Sequence, residues 1–213
     1  MIHPLLQSCH LYGIIDLAYV AREALTETTD ALLKGGIKIL QLRAKNVPYD
    51  EVVPIAHQLR EQCKNANCLF IVNDYPELAI ACKADGVHIG QDDGAIQDIR
   101  DLVGEDMIIG RSTHSFDQAI QAHKEKADYI GFGPLFLTQT KPGRPAIGLE
   151  DIQQVHETLP TDFPIFCIGG INESTLHQVQ GAGAKRVVIV SWLLQQQDIK
   201  SSTLTIRKTL GES

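Results

Sequence analysis

The sequence lacks several features that mark large classes of protein. None of its apolar runs approaches the ~18 consecutive residues of a membrane-spanning helix, so we expect no membrane partner. The first fifteen residues hold no basic stretch followed by an apolar one, which predicts no secretory signal. Basic residues are also few, since 19 Lys and Arg against 26 Asp and Glu give a net charge of −7. That balance argues against a general nucleic-acid binder, which needs a basic surface to contact phosphates.

Cysteine is sparse and shows no pairing pattern. There are five cysteines, an odd number, and no Cys-x-x-Cys motif. Disulfide frameworks belong mainly to short secreted chains, so we expect reduced thiols and a cytoplasmic location. The rest of the composition, 44% hydrophobic and 21% charged, is typical of a globular protein. No linker or low-complexity tract divides the chain, which predicts a single domain over residues 1–213.

Short apolar runs alternate with segments of helical periodicity along the chain. The runs are rich in Ile, Val, Leu and Phe, as is typical of strands that are buried on both faces. They cover 10–15, 37–42, 69–72, 86–89, 107–109, 129–132, 165–168 and 186–190, and helices are predicted over 21–35, 48–66, 115–126 and 172–181. Repeated strand–helix units require parallel strands. Eight of them predict an α/β fold, a closed (β/α)8 TIM barrel, with an open doubly wound sheet as the alternative.

The active site of a TIM barrel lies at the carboxyl ends of the strands, and polar residues follow the second apolar run. Gln41, Arg43 and Lys45 alternate with Leu42 and Ala44, so the two-residue period of a strand places the three polar side chains toward the barrel mouth. Two neighbouring cations favour a bound polyanion, because the guanidinium group suits phosphate in a bidentate geometry. Solvated surface charges are the alternative.

Carboxylates follow the next two predicted strands. Asn73 and Asp74 come after the third run, and Asp92 and Asp93 come after the fourth. Adjacent strand ends bring such carboxylates together, and two of them with phosphate and water oxygens would suit octahedral Mg²⁺. Spacing does not choose between Asp92 and Asp93. Helix N-caps are the alternative interpretation, since Asp is a preferred capping residue.

The last three strand ends offer a second anion site. The long polar loop after the sixth run supplies phosphate donors in Thr138, Thr140 and Lys141. The seventh run ends in a Gly-Gly pair at Gly170, where we expect the next helix to point its free N–H groups at an anion. The eighth run ends just before Ser191. The loops that follow strands seven and eight are a recurring phosphate site in TIM barrels. A structural glycine turn is the alternative. Two facing anion sites suggest a joining or transfer reaction.

Motifs in a fixed order resemble those of the thiamine-phosphate synthase family. The resemblance covers about residues 11–193 and rests on segments 41–45, 72–74, 86–93, 110–114, 131–134, 138–141, 168–171 and 190–191. Each motif is weak alone, but their shared order is specific. The resemblance implies a TIM barrel with two phosphorylated small-molecule substrates. It also implies the joining of 4-amino-2-methyl-5-(hydroxymethyl)pyrimidine diphosphate to 4-methyl-5-(2-hydroxyethyl)thiazole phosphate, with release of pyrophosphate.

The resemblance further implies a role for each matched residue. No protein nucleophile or base is needed, and Arg43, Lys45 and Lys141 stabilise the leaving group. One Mg²⁺ per subunit is held by Asp74 and Asp93, so the family pattern selects Asp93. The implied pyrimidine diphosphate site comprises Gln41, Leu42, Arg43, Ala44, Lys45, Asn73, Ser112 and Lys141. The implied thiazole phosphate site comprises Thr138, Gln139, Thr140, Gly170, Val190 and Ser191.

The chain departs from the family pattern at three points, and other functions stay open. Leu137 stands where Pro is usual, the segment 141–148 is about one residue short, and Trp192 replaces a smaller residue. A thiazole tautomerase using His114, a sugar-phosphate epimerase and a non-catalytic thiamine-precursor binding protein are the alternatives. We predict that Trp192 packs in the fold and that His88 is a hydrogen-bonded core histidine. A homo-oligomer is compatible with the sequence.

Overall fold

Eight parallel strands lie at the centre of the molecule. A computed structural model describes residues 2–138 and 145–212. The strands are β1 (Leu11–Asp16), β2 (Ile39–Arg43), β3 (Leu69–Asn73), β4 (Gly86–Ile89), β5 (Ile108–Thr113), β6 (Tyr129–Phe132), β7 (Ile165–Ile168) and β8 (Arg186–Ile189). Each pairs in parallel with the next, and β8 pairs with β1 to close the barrel. The predicted single-domain TIM barrel is therefore confirmed, and the open-sheet alternative is wrong.

Helices alternate with the strands. They are α1 (Pro4–Ser8), α2 (Leu25–Lys34), α3 (Tyr49–Asn65), α4 (Pro76–Ala81), α5 (Ile96–Val103), α6 (Phe116–Lys124), α7 (Ile152–Thr158), α8 (Glu173–Gly181), α9 (Ser191–Leu194) and α10 (Ile199–Thr209). The four helices predicted from periodicity coincide with α2, α3, α6 and α8. Ser115 caps α6, because its hydroxyl accepts a hydrogen bond from the Gln118 backbone N–H. No helix within the described ranges combines the length and apolar character needed to cross a bilayer.

Strand β5 is longer than its apolar run. The run ends at Ile109, but the strand continues through Arg111, Ser112 and Thr113, all of which are buried. Their backbones pair with β6 in the barrel, and the Thr113 hydroxyl donates to the Gly131 carbonyl at 3.1 Å. Hydrogen bonding within the barrel therefore offsets the cost of burying these polar groups. A search for apolar runs in the sequence does not detect polar strand residues of this kind.

The barrel interior is closed below its mouth by aromatic rings. Tyr12, Tyr129 and Phe166 lie on β1, β6 and β7, and their ring centroids are 5.3 to 5.8 Å apart. Both tyrosines and the phenylalanine are almost completely buried. Phe166 contacts both tyrosines edge-to-face, and the two tyrosine rings are tilted by 53° to each other, so these contacts favour one fixed arrangement. This aromatic layer is the floor on which the polar groups of the mouth rest.

The cysteines are free thiols inside the fold. All five are buried and none forms a disulfide, as expected from their number and spacing. Burial raises the pKa of the Cys9 and Cys167 thiols to about 12. Because the thiolate is the reactive form, these two cysteines are inert packing residues.

Candidate active site

One cavity opens at the carboxyl ends of the strands. Its volume is about 890 Å³, counting space that is open to solvent, and all eight strands or the loops after them line it. This position is the expected one for a TIM-barrel site. The cavity brings together residues that the sequence assigned to two separate anion sites. Those that line it are Gln41, Arg43, Asn73, Ser112, Thr138, Gly170, Val190 and Ser191.

Some predicted site residues lie elsewhere. Leu42 and Ala44 alternate with the polar residues of β2 and its loop, and their side chains are buried in the hydrophobic core. Gln139, Thr140 and Lys141 fall outside the described residues, as does the first half of the segment 141–148 that was expected to be short. Leu137, in contrast, is described and is 81% exposed at the start of that segment.

The two basic residues of the β2 end are each paired with a carboxylate. Arg43 Nη1 lies 2.7 Å from Asp16 Oδ2, and both side chains are buried. Asp16 Oδ1 also accepts the backbone N–H of Ala18 at 3.0 Å. Lys45 forms an ion pair with Asp74. The expected repulsion between Arg43 and Lys45 is thus offset by protein carboxylates, and a bound anion is not required to relieve it.

Asp16 was missed by the sequence reasoning. It lies at the carboxyl end of β1 and is 1% exposed, directly after the first apolar run. Its position at a strand end was the available signal, since a carboxylate there points toward the mouth. Through the bond to Arg43 it fixes the direction of the guanidinium group.

The helix-cap interpretation of Asp74 and Asp93 is wrong. The N-cap residue of α4 is Tyr75, and that of α5 is Ala95. Asp74 instead follows β3 with a φ of 65°, a conformation that non-glycine residues rarely adopt outside functional or turn positions. Asp93 Oδ2 accepts the Gly90 backbone N–H at 2.6 Å. The two carboxylates are therefore placed by the loops after β3 and β4.

Asp74 and Asp93 lie close enough to influence each other. Burial raises the pKa of Asp74, the Lys45 ammonium opposes that rise, and the Asp93 carboxyl adds to it. The Lys45 ammonium contacts the buried Oδ2 atom of Asp74. Two crowded carboxylates of this kind are suited to a cation with oxygen ligands. Asp93, not Asp92, is the acid that interacts with Asp74 in this way.

Arg111 holds the loop that carries Asp93. Its guanidinium Nη1 donates to the Gly94 carbonyl at 2.8 Å, and Nη2 donates to the Gln91 carbonyl at 3.3 Å. Burial lowers the pKa of Arg111, while Asp93 and other acids nearby oppose that shift. The sequence placed Arg111 in a motif without assigning it a task.

The glycines after β7 are required by packing. Gly169 and Gly170 have φ values of 100° and 66°. A Cβ on Gly169 would lie 2.5 Å from Pro134 Cα, and one on Gly170 would lie 2.6 Å from Phe136 Cβ. The structural interpretation therefore explains both glycines, because the loop after β6 lies against them. Gly170 borders the cavity as well.

The start of α8 differs from the expectation. The Asn172 side chain accepts the backbone N–H groups of Ser174 and Thr175, forming a capping box. These two N–H groups are therefore satisfied by the helix's own cap and are not directed at an anion. Ser191 begins α9 and lines the cavity, so the eighth strand end keeps its predicted place. Trp192 packs against the core, as predicted.

Two histidines also line the cavity. His88 is buried and hydrogen-bonded through both ring nitrogens, which confirms the core-histidine prediction, although its ring borders the cavity too. His114 contacts the Gly133 carbonyl through Nδ1. Tyr12 and Tyr129 of the aromatic layer also line the cavity, and the sequence reasoning did not assign them to the site. A tyrosine in an otherwise apolar strand was the signal for them, since a buried hydroxyl needs a partner.

Known proteins resemble this chain over most of its length. A family model described as thiamine monophosphate synthase matches residues 11–193. A thiamine-phosphate synthase of Synechocystis is 41% identical over 97% of this chain and 58% of its own length. One from Gloeobacter violaceus is 42% identical over 82% of this chain and 50% of its own. The chain thus spans about half the length of these relatives, whereas one from Pelotomaculum thermopropionicum, 38% identical, is covered over 92% of its length and 94% of this chain.

Solved structures share the fold of this chain. A thiamine phosphate pyrophosphorylase from Pyrococcus furiosus superposes with a TM-score of 0.86 and 31% identity, covering 97% of this chain and 98% of that one. A 3-hexulose-6-phosphate synthase, at 16% identity and a TM-score of 0.68, shares the fold alone. On the extent of the family match and the similarity to these relatives, the chain belongs to the thiamine monophosphate synthase family.

Proposed function

We propose that this chain is a thiamine-phosphate synthase. It joins 4-amino-2-methyl-5-(hydroxymethyl)pyrimidine diphosphate to 4-methyl-5-(2-hydroxyethyl)thiazole phosphate, forming thiamine phosphate and pyrophosphate in thiamine biosynthesis. The observation that carries the proposal is the single cavity in which residues matched to both substrates meet. The similarity to thiamine-phosphate synthases and to a thiamine phosphate pyrophosphorylase supports the same reaction. The free buried thiols are compatible with the cytoplasmic location that we propose.

The pyrimidine diphosphate would occupy the β2–β5 side of the mouth. Gln41 and Asn73 are buried amides that can bind the polar edge of the ring. Arg43 and Ser112 would donate hydrogen bonds to the diphosphate. The bond between the methylene carbon and the diphosphate oxygen breaks first, and the electron-rich ring stabilises the resulting methylene cation. Cationic side chains stabilise the departing pyrophosphate, since they are aimed at charge that develops as the bond breaks.

The thiazole phosphate would bind on the β6–β8 side. Thr138, Gly170 and Ser191 border the cavity there and offer hydroxyl and backbone groups to the phosphate. Anchoring the phosphate orients the thiazole nitrogen toward the methylene carbon, where the new C–N bond forms. The proposed contacts of Gln139, Thr140 and Lys141 belong to the same loop, and those of Val190 to the end of β8. No protein group takes part covalently.

The acidic pair is suited to hold one Mg²⁺. Asp74 and Asp93 can supply oxygen ligands, and their mutual influence, by which the Asp93 carboxyl adds to the rise in the pKa of Asp74, supports a cation held between them. When bound there, the ion would neutralise diphosphate oxygens and make pyrophosphate a better leaving group. Lys45, which contacts Asp74, adds positive charge at the same rim.

The test is a coupling assay with the purified chain. Both phosphorylated precursors and Mg²⁺ are supplied, and chromatography measures thiamine phosphate and pyrophosphate, which we expect in equal amounts. Omission of either precursor, or addition of a chelator, should abolish the product. Binding of both precursors without product would favour a binding protein and overturn the proposal. Supplying the non-aromatic thiazole isomer alone, and following its aromatisation, detects tautomerase activity through His114.

A further inference from the structure

Five buried side chains form a continuous chain of hydrogen bonds across the cavity floor. Gln41 Nε2 donates to the Tyr12 hydroxyl at 2.9 Å, and the Tyr12 and Tyr129 hydroxyls are 2.9 Å apart. The Tyr129 hydroxyl lies 3.0 Å from His88 Nδ1, and His88 Nε2 lies 2.9 Å from Ser112 Oγ. The chain therefore joins a residue matched to the pyrimidine with a residue matched to the diphosphate.

Because Gln41 Nε2 donates at one end, counting protons from that end assigns the donor of each following hydrogen bond. The Tyr12 hydroxyl accepts from Gln41, so its own hydrogen goes to Tyr129. The Tyr129 hydroxyl accepts from Tyr12, so its hydrogen goes to His88 Nδ1. An imidazole that accepts at Nδ1 carries its hydrogen at Nε2, and Nε2 then donates to Ser112 Oγ. The Ser112 hydroxyl hydrogen is therefore directed away from His88.

The other proton arrangement of His88 would be costly. With a hydrogen on Nδ1, the Tyr129 hydroxyl would meet donors from both Tyr12 and His88, and its own hydrogen would lose its partner. Tyr129 is 1% exposed, so no water replaces that partner without opening the floor. Burial also raises the pKa of Tyr129 well above its usual value, which keeps the hydroxyl protonated.

Packing keeps the chain from rearranging. The His88 and Tyr129 rings lie 5.4 Å apart at an interplanar angle of 31°. Tyr129 also packs edge-on against Phe166, at 5.8 Å and 87°. Rings locked in this way cannot swing their polar atoms toward other partners without a loss of packing. The direction of each hydrogen bond is thus set before any ligand arrives.

We propose that His88 is a positioning residue, which holds the Ser112 hydroxyl as a hydrogen-bond donor directed into the cavity, and that Tyr129 fixes its tautomer. The identification of the acceptor as the pyrimidine diphosphate rests on the proposed function. A donor that is oriented in advance stabilises the charge that develops on the leaving group without reorganisation. Gln41 and Ser112 are the two ends of one chain of hydrogen bonds with a common direction. In this proposal Gln41 binds the pyrimidine ring and Ser112 binds the diphosphate of the same substrate.

The tautomer is tested by ¹⁵N NMR of the histidine side chains in the whole protein at neutral pH. We expect His88 to be neutral with its hydrogen on Nε2, its signal being assigned by its loss in His88→Gln. In Tyr129→Phe the fraction with hydrogen on Nε2 should fall, because Nδ1 has lost its donor. An Nδ1–H tautomer or an imidazolium in the wild type would overturn the proposal. So would an unchanged tautomer in Tyr129→Phe.

Binding of Mg²⁺-pyrophosphate provides the second measurement. Losing a hydrogen bond to a charged group costs about 10- to 100-fold in affinity, which we expect for Ser112→Ala. Tyr129→Phe leaves Ser112 in place but no longer fixes the direction of its hydroxyl. We therefore expect a smaller effect, with pyrophosphate affinity about 3- to 10-fold lower and KM for the pyrimidine diphosphate about 3- to 10-fold higher. Equal affinities in Tyr129→Phe and the wild type would contradict the positioning role.

A matched control separates positioning from stability. Thr113→Val also removes a buried hydroxyl from β5. That hydroxyl donates to the Gly131 carbonyl and takes no part in the chain of hydrogen bonds between Gln41 and Ser112. This variant should lose stability and keep its pyrophosphate affinity. Failure of the proposed function is visible separately, as a wild type that forms no thiamine phosphate. If such an inactive protein still shows the Nε2–H tautomer, His88 keeps its role in positioning the Ser112 hydroxyl. The identification of the pyrimidine diphosphate as the acceptor of that hydroxyl is then overturned.

Discussion

At the scale of single residues, the site is built from charges that are paired before a ligand binds. Arg43 meets Asp16, and Lys45 meets Asp74. An Arg held by a buried carboxylate costs little entropy to orient, since its geometry is already selected. The same pairing keeps an acidic protein from concentrating uncompensated positive charge at its mouth.

Asp74→Asn and Asp93→Asn should each remove Mg²⁺-dependent coupling. Asn keeps the size of the side chain but removes the negative charge that holds a divalent ion, so we expect activity to fall about 100-fold or more in each variant. The coupling assay measures the loss, and a thermal shift on adding Mg²⁺ with pyrophosphate reports binding independently.

Asp92→Asn is the matched control for the two proposed metal ligands. Asp92 neighbours Asp93 in sequence, and Asp93 is the acid that interacts with Asp74. We expect this variant to keep both Mg²⁺-dependent activity and the thermal shift. Loss of activity in Asp92→Asn with retention in Asp93→Asn would reverse the assignment, and wild-type behaviour of all three variants would remove it.

At the scale of elements, one contact recurs in two strand–helix units. Asp85, just before β4, accepts the Phe70 backbone N–H at 2.8 Å and pairs with Arg60 of α3 at 3.1 Å. Asp128, just before β6, does the same with the N–H of Ile109 at 2.8 Å and with Arg100 of α5 at 2.7 Å. Each aspartate thus connects the start of a strand with the preceding strand and with the helix before that strand.

Breaking these contacts should destabilise the barrel without affecting the site. Asp85→Ala and Asp128→Ala each leave an arginine and a backbone N–H without their partner, so each should lower the free energy of unfolding by about 1–3 kcal/mol. The two contacts share no residue, so the double variant should lose about the sum. Urea denaturation measures both. The exposed Asp162→Ala is the control, and a similar loss there would show that removing any acid has this effect.

The strands were predictable because burial on both faces leaves uninterrupted apolar runs in the sequence. The longer amphipathic helices were predictable for a similar reason, since α3 repeats its buried face over 17 residues. The extension of β5 was not, because Arg111, Ser112 and Thr113 are buried by partners that lie elsewhere in the chain. The capping box at Asn172 likewise became apparent only once α8 and its cap were observed together.

At the scale of the whole molecule, a partly buried histidine makes stability depend on pH. His156 of α7 has a pKa lowered from 6.5 to about 4, because burial and then the charges of Lys185 and Arg186 disfavour its protonation. Its Nε2 has no hydrogen-bond partner among the described residues. The native state therefore binds fewer protons than the unfolded state at acidic pH, and stability falls as pH decreases from about 6.5 toward 4.

His156→Gln should reduce this acid sensitivity. Between pH 7 and pH 5 we expect the wild type to lose about 1 kcal/mol more stability than the variant, after allowing for the partial exposure of the imidazole. Urea denaturation at the two pH values measures the difference. The exposed His57→Gln should follow the wild type, and parallel behaviour of His156→Gln and the wild type would contradict the assignment.

The sequence by itself determined the barrel, because the alternation of strands and helices is written in local hydrophobicity. It also placed candidate site residues at the strand ends, since Gln41, Asn73 and Ser191 lie at or just after the end of an apolar run and line one cavity, whereas Ser112 was reached only through the family resemblance. The tertiary structure decided which groups pair: Asp16 with Arg43, Arg111 with the Asp93 loop, and His88 between Tyr129 and Ser112. These partners are 17 to 41 positions apart in sequence. Only closure of the barrel brings them within hydrogen-bonding distance, which no local pattern records.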